Sequence, residues 1–382
     1  MEQLSPRVAA ELAQRVYTVQ DKELISVFLL RPEFSRNPAQ KQPLKAEVGS
    51  RLINTRDGFG ICAVGGKGYE KDMFLVFRGS TSANNNADWV SNGRIGVTAT
   101  INGPVHIGFQ NIFSSMLPEI RKFVSQHETG TTTFHCIGHS LGGAIATLTA
   151  NWLRSNKTRA VKLYTFGAPK LGMFLFSSVF TNKIGKDNIF RAYHPTDPVP
   201  MIPLFPFVHA PLPGYGHYIP VNENMISVAA HDIGLYVKSV SGSTWGDLER
   251  RSPPYTIESA VEQWLQSKAP VSASSPKIWE WINSGLIYVL KKIIGNAALA
   301  LQAGFIGALT VADTIAYILR KGIDLSKAIG QWVVHLMRKI MQVLGLRVVE
   351  SKEELTKAVM RKALIQIMDR TTEDARNAVR RI

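Results

Sequence analysis

Thr132-Thr133-Phe134-His135-Cys136-Ile137, followed by Gly138-His139-Ser140-Leu141-Gly142-Gly143, is the stretch on which the fold of this chain turns. The first six residues read as a strand, and Leu141–Asn156 reads as a helix. Between them, Gly138-His139-Ser140-Leu141-Gly142 fits the pattern G-x-S-x-G. The pattern alone is weak: at average Gly and Ser usage, roughly one chain in eight of this length would carry it by chance. Its setting makes it specific. A serine on a sharp strand-to-helix turn is held in a strained conformation with its hydroxyl exposed, and small flanking residues let strand and helix approach. Ser140 is therefore the candidate nucleophile. The backbone N–H of Leu141 points at the same place and is a candidate oxyanion donor.

Outward from this turn the chain alternates. Phe59–Val64, Asp72–Phe77, Val161–Phe166 and Ile189–His194 are predicted strands. Gly108–His127 carries Phe109, Ile112, Phe113, Met116, Ile120 and Phe123 at helical spacing. The run Asp72–Phe77 is apolar without period, as expected of a strand covered on both faces. Strands alternating with helices predict an α/β fold with a mostly parallel, doubly wound sheet flanked by helices. Cys62 and Cys136 lie in strand-like runs and are expected as buried thiols. Two cysteines so far apart offer no metal spacing.

The character changes at residues 267–276, a Ser/Ala/Pro stretch that reads as a linker. It separates an α/β domain over 1–266, with its core at 50–240, from a basic, apolar helical domain over 277–382. Ile293–Ala312 runs for 20 residues without a charge. That length can span a bilayer, but Gly295, Asn296, Gln302, Gly304 and Gly307 interrupt it. A packed helical hairpin or reversible membrane contact is the expectation, and a membrane span the alternative. Ser351-Lys352-Glu353-Glu354 has the form of a capping box and is expected to open the last helix. Of the net charge of +15, more than half falls after residue 275, where 17 Lys/Arg face 9 Asp/Glu. A basic balance implies an acidic partner. No nucleic-acid-binding motif and no interleaving of basic and aromatic residues is present. The expected partner is an anionic membrane surface met by the C-terminal region, with no nucleic acid.

Five stretches occur in an order that carries a resemblance: Val76-Phe77-Arg78-Gly79-Ser80, Val105-His106-Ile107-Gly108-Phe109, Gly138-His139-Ser140-Leu141-Gly142-Gly143, Tyr164-Thr165-Phe166-Gly167-Ala168-Pro169 and Asp197-Pro198-Val199-Pro200. Together they resemble the class 3 lipase family, the fungal-lipase-like branch of the α/β-hydrolases, over roughly residues 50–240. The resemblance implies an α/β-hydrolase-like sheet, followed here by an all-α region outside the resemblance. It makes Ser80 the second oxyanion donor beside Leu141, and Asp197 the triad acid. Prolines on either side of Asp197 restrict its loop, as an orienting carboxylate requires. The chain order Ser, Asp, His leaves His209, His217 and His231 open as the base. Gly214-Tyr215-Gly216-His217 resembles a family segment whose histidine is not the base, and Ala230-His231-Asp232-Ile233-Gly234-Leu235-Tyr236 resembles the segment that carries it. His231 is thus the expected base, with His217 the alternative. His139 is expected to pack, and His106 to be bonded within the loop before its helix. Ser82–Thr100 corresponds to the family's mobile lid and is more polar than usual, with Trp89, Val90 and Ile95 its large apolar residues. Met201–Val208 is strongly apolar, suited equally to an acyl-chain wall and to core packing.

These readings combine into a serine carboxylic-ester hydrolase that acts on membrane glycerolipids through an acyl-enzyme, in the manner of a phospholipase A. A triacylglycerol or monoacylglycerol lipase is the alternative. A reading from another class makes the helical tail the active agent, membrane-perturbing or partner-binding, with the hydrolase secondary. No metal or cofactor is expected. Met1–Gln20 is an amphipathic helical pattern without the basic start and unbroken apolar core of a secretory signal. The expectation is a membrane-associated chain made in the cytoplasm without a signal peptide and, if exported, carried by a signal-independent system. A bacterial lipase effector would have this form, with an inhibitor (immunity) or carrier protein as its partner.

Overall fold

In the computed structural model, which describes residues 3–21, 23–48, 55–80, 96–212, 215–222, 224–254, 257–294 and 310–380, the apolar run Asp72–Phe77 is covered on both faces. Met73, Leu75 and Phe77 enter one core cluster, and Phe74 and Val76 enter another. The strands follow in chain order as β1 (Lys41–Val48), β2 (Thr55–Val64), β3 (Asp72–Phe77), β4 (Val97–Thr100), β5 (Gly103–His106), β6 (Thr133–His139), β7 (Ala160–Phe166), β8 (Gly172–Met173), β9 (Ile189–Tyr193), β10 (Phe207–Val208), β11 (Gly216–Tyr218) and β12 (Arg250–Arg251). The main sheet has the order β1-β2-β3-β6-β7-β9-β11-β12. Its five central strands, β3 to β11 in that order, are parallel, and antiparallel strands close both edges. The remaining four strands make a small antiparallel sheet.

The helices are α1 (Pro6–Arg15), α2 (Ile25–Leu29), α3 (Ile107–His127), α4 (Leu141–Asn156), α5 (Phe174–Ile184), α6 (Ile233–Val240), α7 (Glu258–Gln266) and α8 (Pro276–Ile294), with three more over Val311–Leu325, Lys327–Val343 and Lys357–Val379. One face of the sheet is packed by the apolar stripes of α3, α4 and α5, and the other by α1 and α6. This is the doubly wound α/β arrangement the alternation predicts. Cys62 and Cys136 are free and buried, on strands either side of β3.

A third core cluster joins the C-terminal helices to the loop Met201–Val208. Met201, Leu204, Phe205, Phe207 and Val208 pack with Trp279, Ile282, Leu286, Ile315 and Ile367. The backbone N–H of Phe205 donates to Asn283 Oδ1 at 2.5 Å. Of the two roles the apolar loop suited, the structure gives it the packing one. At the far end of the tail, Ala375, Ala378 and Val379 join the core cluster to which α3 and α4 contribute.

One start signal misplaced a helix. Ser351 accepts from the Glu354 N–H at 3.3 Å within a turn, but the last helix begins at Lys357, where Thr356 caps it by accepting from the Val359 N–H. A capping box needs helical backbone behind it, and here the chain turns once more before the helix starts. Among the described residues no helix is long and apolar enough to cross a membrane. Most of Ile293–Ala312, and residues 82–95 of the lid segment, lie outside the described residues.

Candidate active site

The loops at the C-terminal ends of parallel strands gather at one edge of the sheet, where open α/β folds place their sites. Ser140 follows β6, Asp197 follows β9, and His231 ends the 3-10 turn Val228–His231 before α6. All three are buried.

Ser140 has φ 55° and ψ −131°, the one positive φ outside glycine among the described residues. Such strain costs on the order of 1–3 kcal/mol and persists only where the surroundings enforce it. Its N–H donates to the Phe166 carbonyl at 3.0 Å, and its own carbonyl accepts from the Gly143 N–H at 2.9 Å. Gly142 permits the tight approach, since a Cβ there would lie 2.3 Å from the Phe77 carbonyl oxygen.

The Ser140 hydroxyl lies 2.9 Å from His231 Nε2, and His231 Nδ1 lies 2.8 Å from Asp197 Oδ2. With Asp197 ionised, Nδ1–H donates to it and Nε2 is free to accept from the serine. Asp197 Oδ2 also accepts from the Tyr236 hydroxyl at 2.8 Å, and Oδ1 accepts from the Val199 N–H at 2.9 Å. Burial, and then the neighbouring carboxylate, push the Tyr236 phenol well above its usual range, so it remains a donor. Gly167, at φ 56°, lies under this group: a Cβ there would be 2.7 Å from Asp197 Oδ2 and 3.1 Å from His231 Nδ1.

The backbone of the base is gripped from two sides. His139 Nε2–H donates to the His231 carbonyl at 2.8 Å, and its Nδ1 accepts from the Tyr17 hydroxyl at 2.7 Å. His194 Nδ1–H donates to the Ala230 carbonyl at 2.7 Å. Burial, then the adjacent His231, hold His139 well below the usual imidazole range. His139 was expected to pack; it also fixes the position of His231.

The chain at Gly79 lies against the nucleophile, since a Cβ there would be 2.9 Å from Ser140 Cβ. Arg78 anchors that segment through Nε to the Gly58 carbonyl at 2.6 Å and Nη1 to the Gly79 carbonyl at 2.7 Å. Leu141 is the first residue of α4. Of the two expected oxyanion residues, Leu141 thus directly follows the nucleophile, and Ser80 directly follows Gly79, which lies against it.

The other histidines lie elsewhere. His217 is in β11 against Phe190 and Trp245. His209 Nε2–H donates to the Pro200 carbonyl at 2.7 Å. His106 caps α3, its Nδ1 accepting from the Gly108 N–H at 3.1 Å. Among the described residues no group of three or more His, Cys, Asp or Glu is placed to hold a metal. Tyr17, Arg78, His194 and Tyr236 escaped the sequence reading. For Tyr236 a signal existed, because a tyrosine on the apolar face of a helix needs a partner for its hydroxyl.

A serine hydroxyl, an imidazole and a buried carboxylate in one hydrogen-bonded line are the parts of a nucleophile, a general base and its orienting acid. Residues 74–207 match the family model for lipase (class 3). Over these residues, about a third of the chain, the chain is similar to the class 3 lipase family. It is similar to "Secreted mono- and diacylglycerol lipase 1" of Fusarium solani, 33% identical over 178 residues that cover 45% of this chain and 49% of that one. A weaker match is to "Phospholipase A(1) DAD1, chloroplastic" of Arabidopsis thaliana, 26% identical over 156 residues, 35% of this chain and 34% of that one. A crystal structure of a mutant of MDLA from Penicillium cyclopium aligns with a TM-score of 0.40 and 24% identity, covering 59% of this chain and 81% of that one. The chain spans about half the length of these fungal relatives. One expectation is overturned. A product made in the cytoplasm without a signal does not accord with the Fusarium relative and two from Penicillium, all named as secreted lipases. The amphipathic N-terminal pattern behind that expectation is α1, whose apolar face packs on the sheet.

Proposed function

We propose that this chain hydrolyses carboxylic esters of glycerolipids, with Ser140 as nucleophile, His231 as general base and Asp197 as the acid that orients it. The observation that carries this reading is the unbroken line Ser140–His231–Asp197 at 2.9 and 2.8 Å. His231 takes the Ser140 proton as the hydroxyl oxygen attacks the ester carbonyl. The N–H groups of Ser80 and Leu141 stabilise the oxyanion. His231 then gives its proton to the departing alcohol, and an acyl-enzyme remains. Water, deprotonated by His231, resolves it and regenerates the serine.

Membrane phospholipids are the substrate we favour within this class, as for a phospholipase A. The support is the net charge of +15, concentrated toward the C-terminal helices, which draws the chain to anionic lipid by about 1 kcal/mol per basic residue near the surface. The names of the more similar relatives favour mono- and diacylglycerols as a second reading.

The test is fatty acid release from phosphatidylglycerol vesicles and from emulsified diacylglycerol, by the wild type and by Ser140→Ala. Release from the vesicles that disappears in the variant supports the phospholipase. Ser140-dependent release from diacylglycerol alone moves the substrate to neutral glycerides. Release that survives in Ser140→Ala overturns the triad.

A further inference from the structure

Ser140, Asp197 and His231 are each 0% exposed. Water does not reach them in this state, and an ester is larger than water. Something packed around the triad has to move before substrate meets the Ser140 hydroxyl. The last helix, Lys357–Val379, is packed there. It lies against the 3-10 turn Val199–Met201, which begins two residues after Asp197, and against the turn Val228–His231, which ends on the base. It brings Ala375, Ala378 and Val379, all buried, into one apolar cluster with Val199, Ile202 and Leu141. Leu141 follows the nucleophile directly, and Val228, three residues before the base, packs on the same cluster. An acyl chain attached at Ser140 needs apolar surface beside the triad, and here the helix already covers it.

The helix is held unequally along its length. Its first half puts Met360, Leu364, Ile367 and Met368 into the tail cluster. Its second half puts two alanines and a valine against the site. Apolar stabilisation scales with the area buried, so the second half has the weaker grip. Thr371 lies between the halves. It is buried, and its hydroxyl donates to the Ile367 and Met368 carbonyls of its own helix at 3.0 and 2.9 Å. Back-bonding of this kind slightly destabilises a helix and bends it, which makes Thr371 a natural hinge.

We propose that residues 371–379 form an autoinhibitory cover: they occupy the ground an acyl chain needs beside the triad, and they swing away about Thr371 to admit substrate. The closed form is then the resting state, and the open form is the one that reacts. This rests on Ser140 being the nucleophile.

The test is the rate at which a fluorophosphonate labels Ser140 in the full chain, read by mass spectrometry, with hydrolysis of a short soluble ester alongside. Val379→Ala trims the contact, and Ala375→Glu sets a charge in it. Because a buried charge is costly and lost apolar area less so, labelling and kcat/KM are expected to rise about 3-fold in Val379→Ala and about 10-fold or more in Ala375→Glu. Circular dichroism checks that each variant is folded, and if Ala375→Glu is not, Val379→Ala carries the comparison. Unchanged labelling in a folded variant overturns the cover. Slower labelling overturns it too, and makes the helix a strap that holds the triad loops in place. A second arm uses the wild-type chain. Hydrogen exchange over residues 371–379 is expected to rise when Ser140 carries a hexadecyl phosphonyl group and to stay unchanged when it carries a methyl one. Equal exchange in the two adducts overturns the proposal. A serine that stays unlabelled in every form overturns the nucleophile reading, and the cover with it; in the other failures Ser140 is labelled, so the two are told apart.

Discussion

At the scale of single residues, the candidate site depends as much on what holds the triad as on the triad. Asp197 is satisfied by His231, Tyr236 and Val199, and three acceptor contacts on one buried carboxylate leave it little freedom. Tyr236→Phe removes one of them. A hydrogen bond to a charged group contributes about 1.5–3 kcal/mol, so kcat on a soluble ester is expected to fall about 10-fold, with KM little changed. Asp197→Asn is expected to cost on the order of 10⁴ in kcat, because the amide favours the wrong imidazole tautomer. Steady-state kinetics on one short-chain ester checks both, and circular dichroism excludes unfolding. A large rise in KM with kcat preserved would count against the positioning role of Tyr236.

At the scale of elements, the turn between β6 and α4 is a tight junction between backbones. Gly142→Ala would drive a methyl to 2.3 Å from the Phe77 carbonyl oxygen, and neither backbone can yield without parting β3 from α4. Overpacking of a well-filled site typically costs 1–3 kcal/mol; with backbone on both sides, we expect at least the upper part of that range, read by urea denaturation. Thr356 offers a milder case. It caps the last helix, and Thr356→Ala is expected to destabilise by about 1 kcal/mol. The Ser351 signal was stronger on paper than Thr356, yet the helix starts at the latter. A cap signal states where a helix can begin, and the packing of Met360, Leu364 and Ile367 into the tail cluster decides where it does.

At the scale of the whole molecule, the C-terminal helices share a core with the loop after Asp197, and the last helix returns to the core of the sheet. Ile282→Ala, in α8, is therefore expected to cost about 2–5 kcal/mol and to shift one cooperative transition, seen alike by tryptophan fluorescence and by far-ultraviolet circular dichroism. Separate transitions would mean that the tail unfolds independently. Buried histidines give the molecule a further global property. Burial holds His106 and His217 down to about 4, whereas unfolded histidine titrates near 6.5. Between those values the unfolded chain binds more protons than the native one, so stability is fully present above about pH 6.5 and falls as pH drops toward 4. Each of the two contributes roughly 3 kcal/mol by the bottom of that window. Melting temperature against pH is expected to be flat near neutrality and to decline steeply below pH 6.5. His217→Phe, which keeps a ring but loses the titrating nitrogens, should flatten the decline.

The α/β alternation and the turn at Ser140 were legible in the sequence because each is written locally, and Asp197 was legible through the resemblance that the ordered motifs carry. Periodicity over six to twenty residues reports which faces are covered, and a glycine-flanked serine between strand and helix reports a strained turn. Ordered motifs added a preference for His231, but chain order left three histidines open. Only the tertiary structure brings His231, 91 residues after Ser140, to its hydroxyl and sends His217 to β11. The same holds for Tyr17, which reaches His139 across 122 residues, and for the loop Met201–Val208, whose apolar face is answered by helices that lie well beyond it in the chain, from Trp279 to Ile367. Contacts at such separations depend on where the whole sheet places its loops, and no local pattern encodes them.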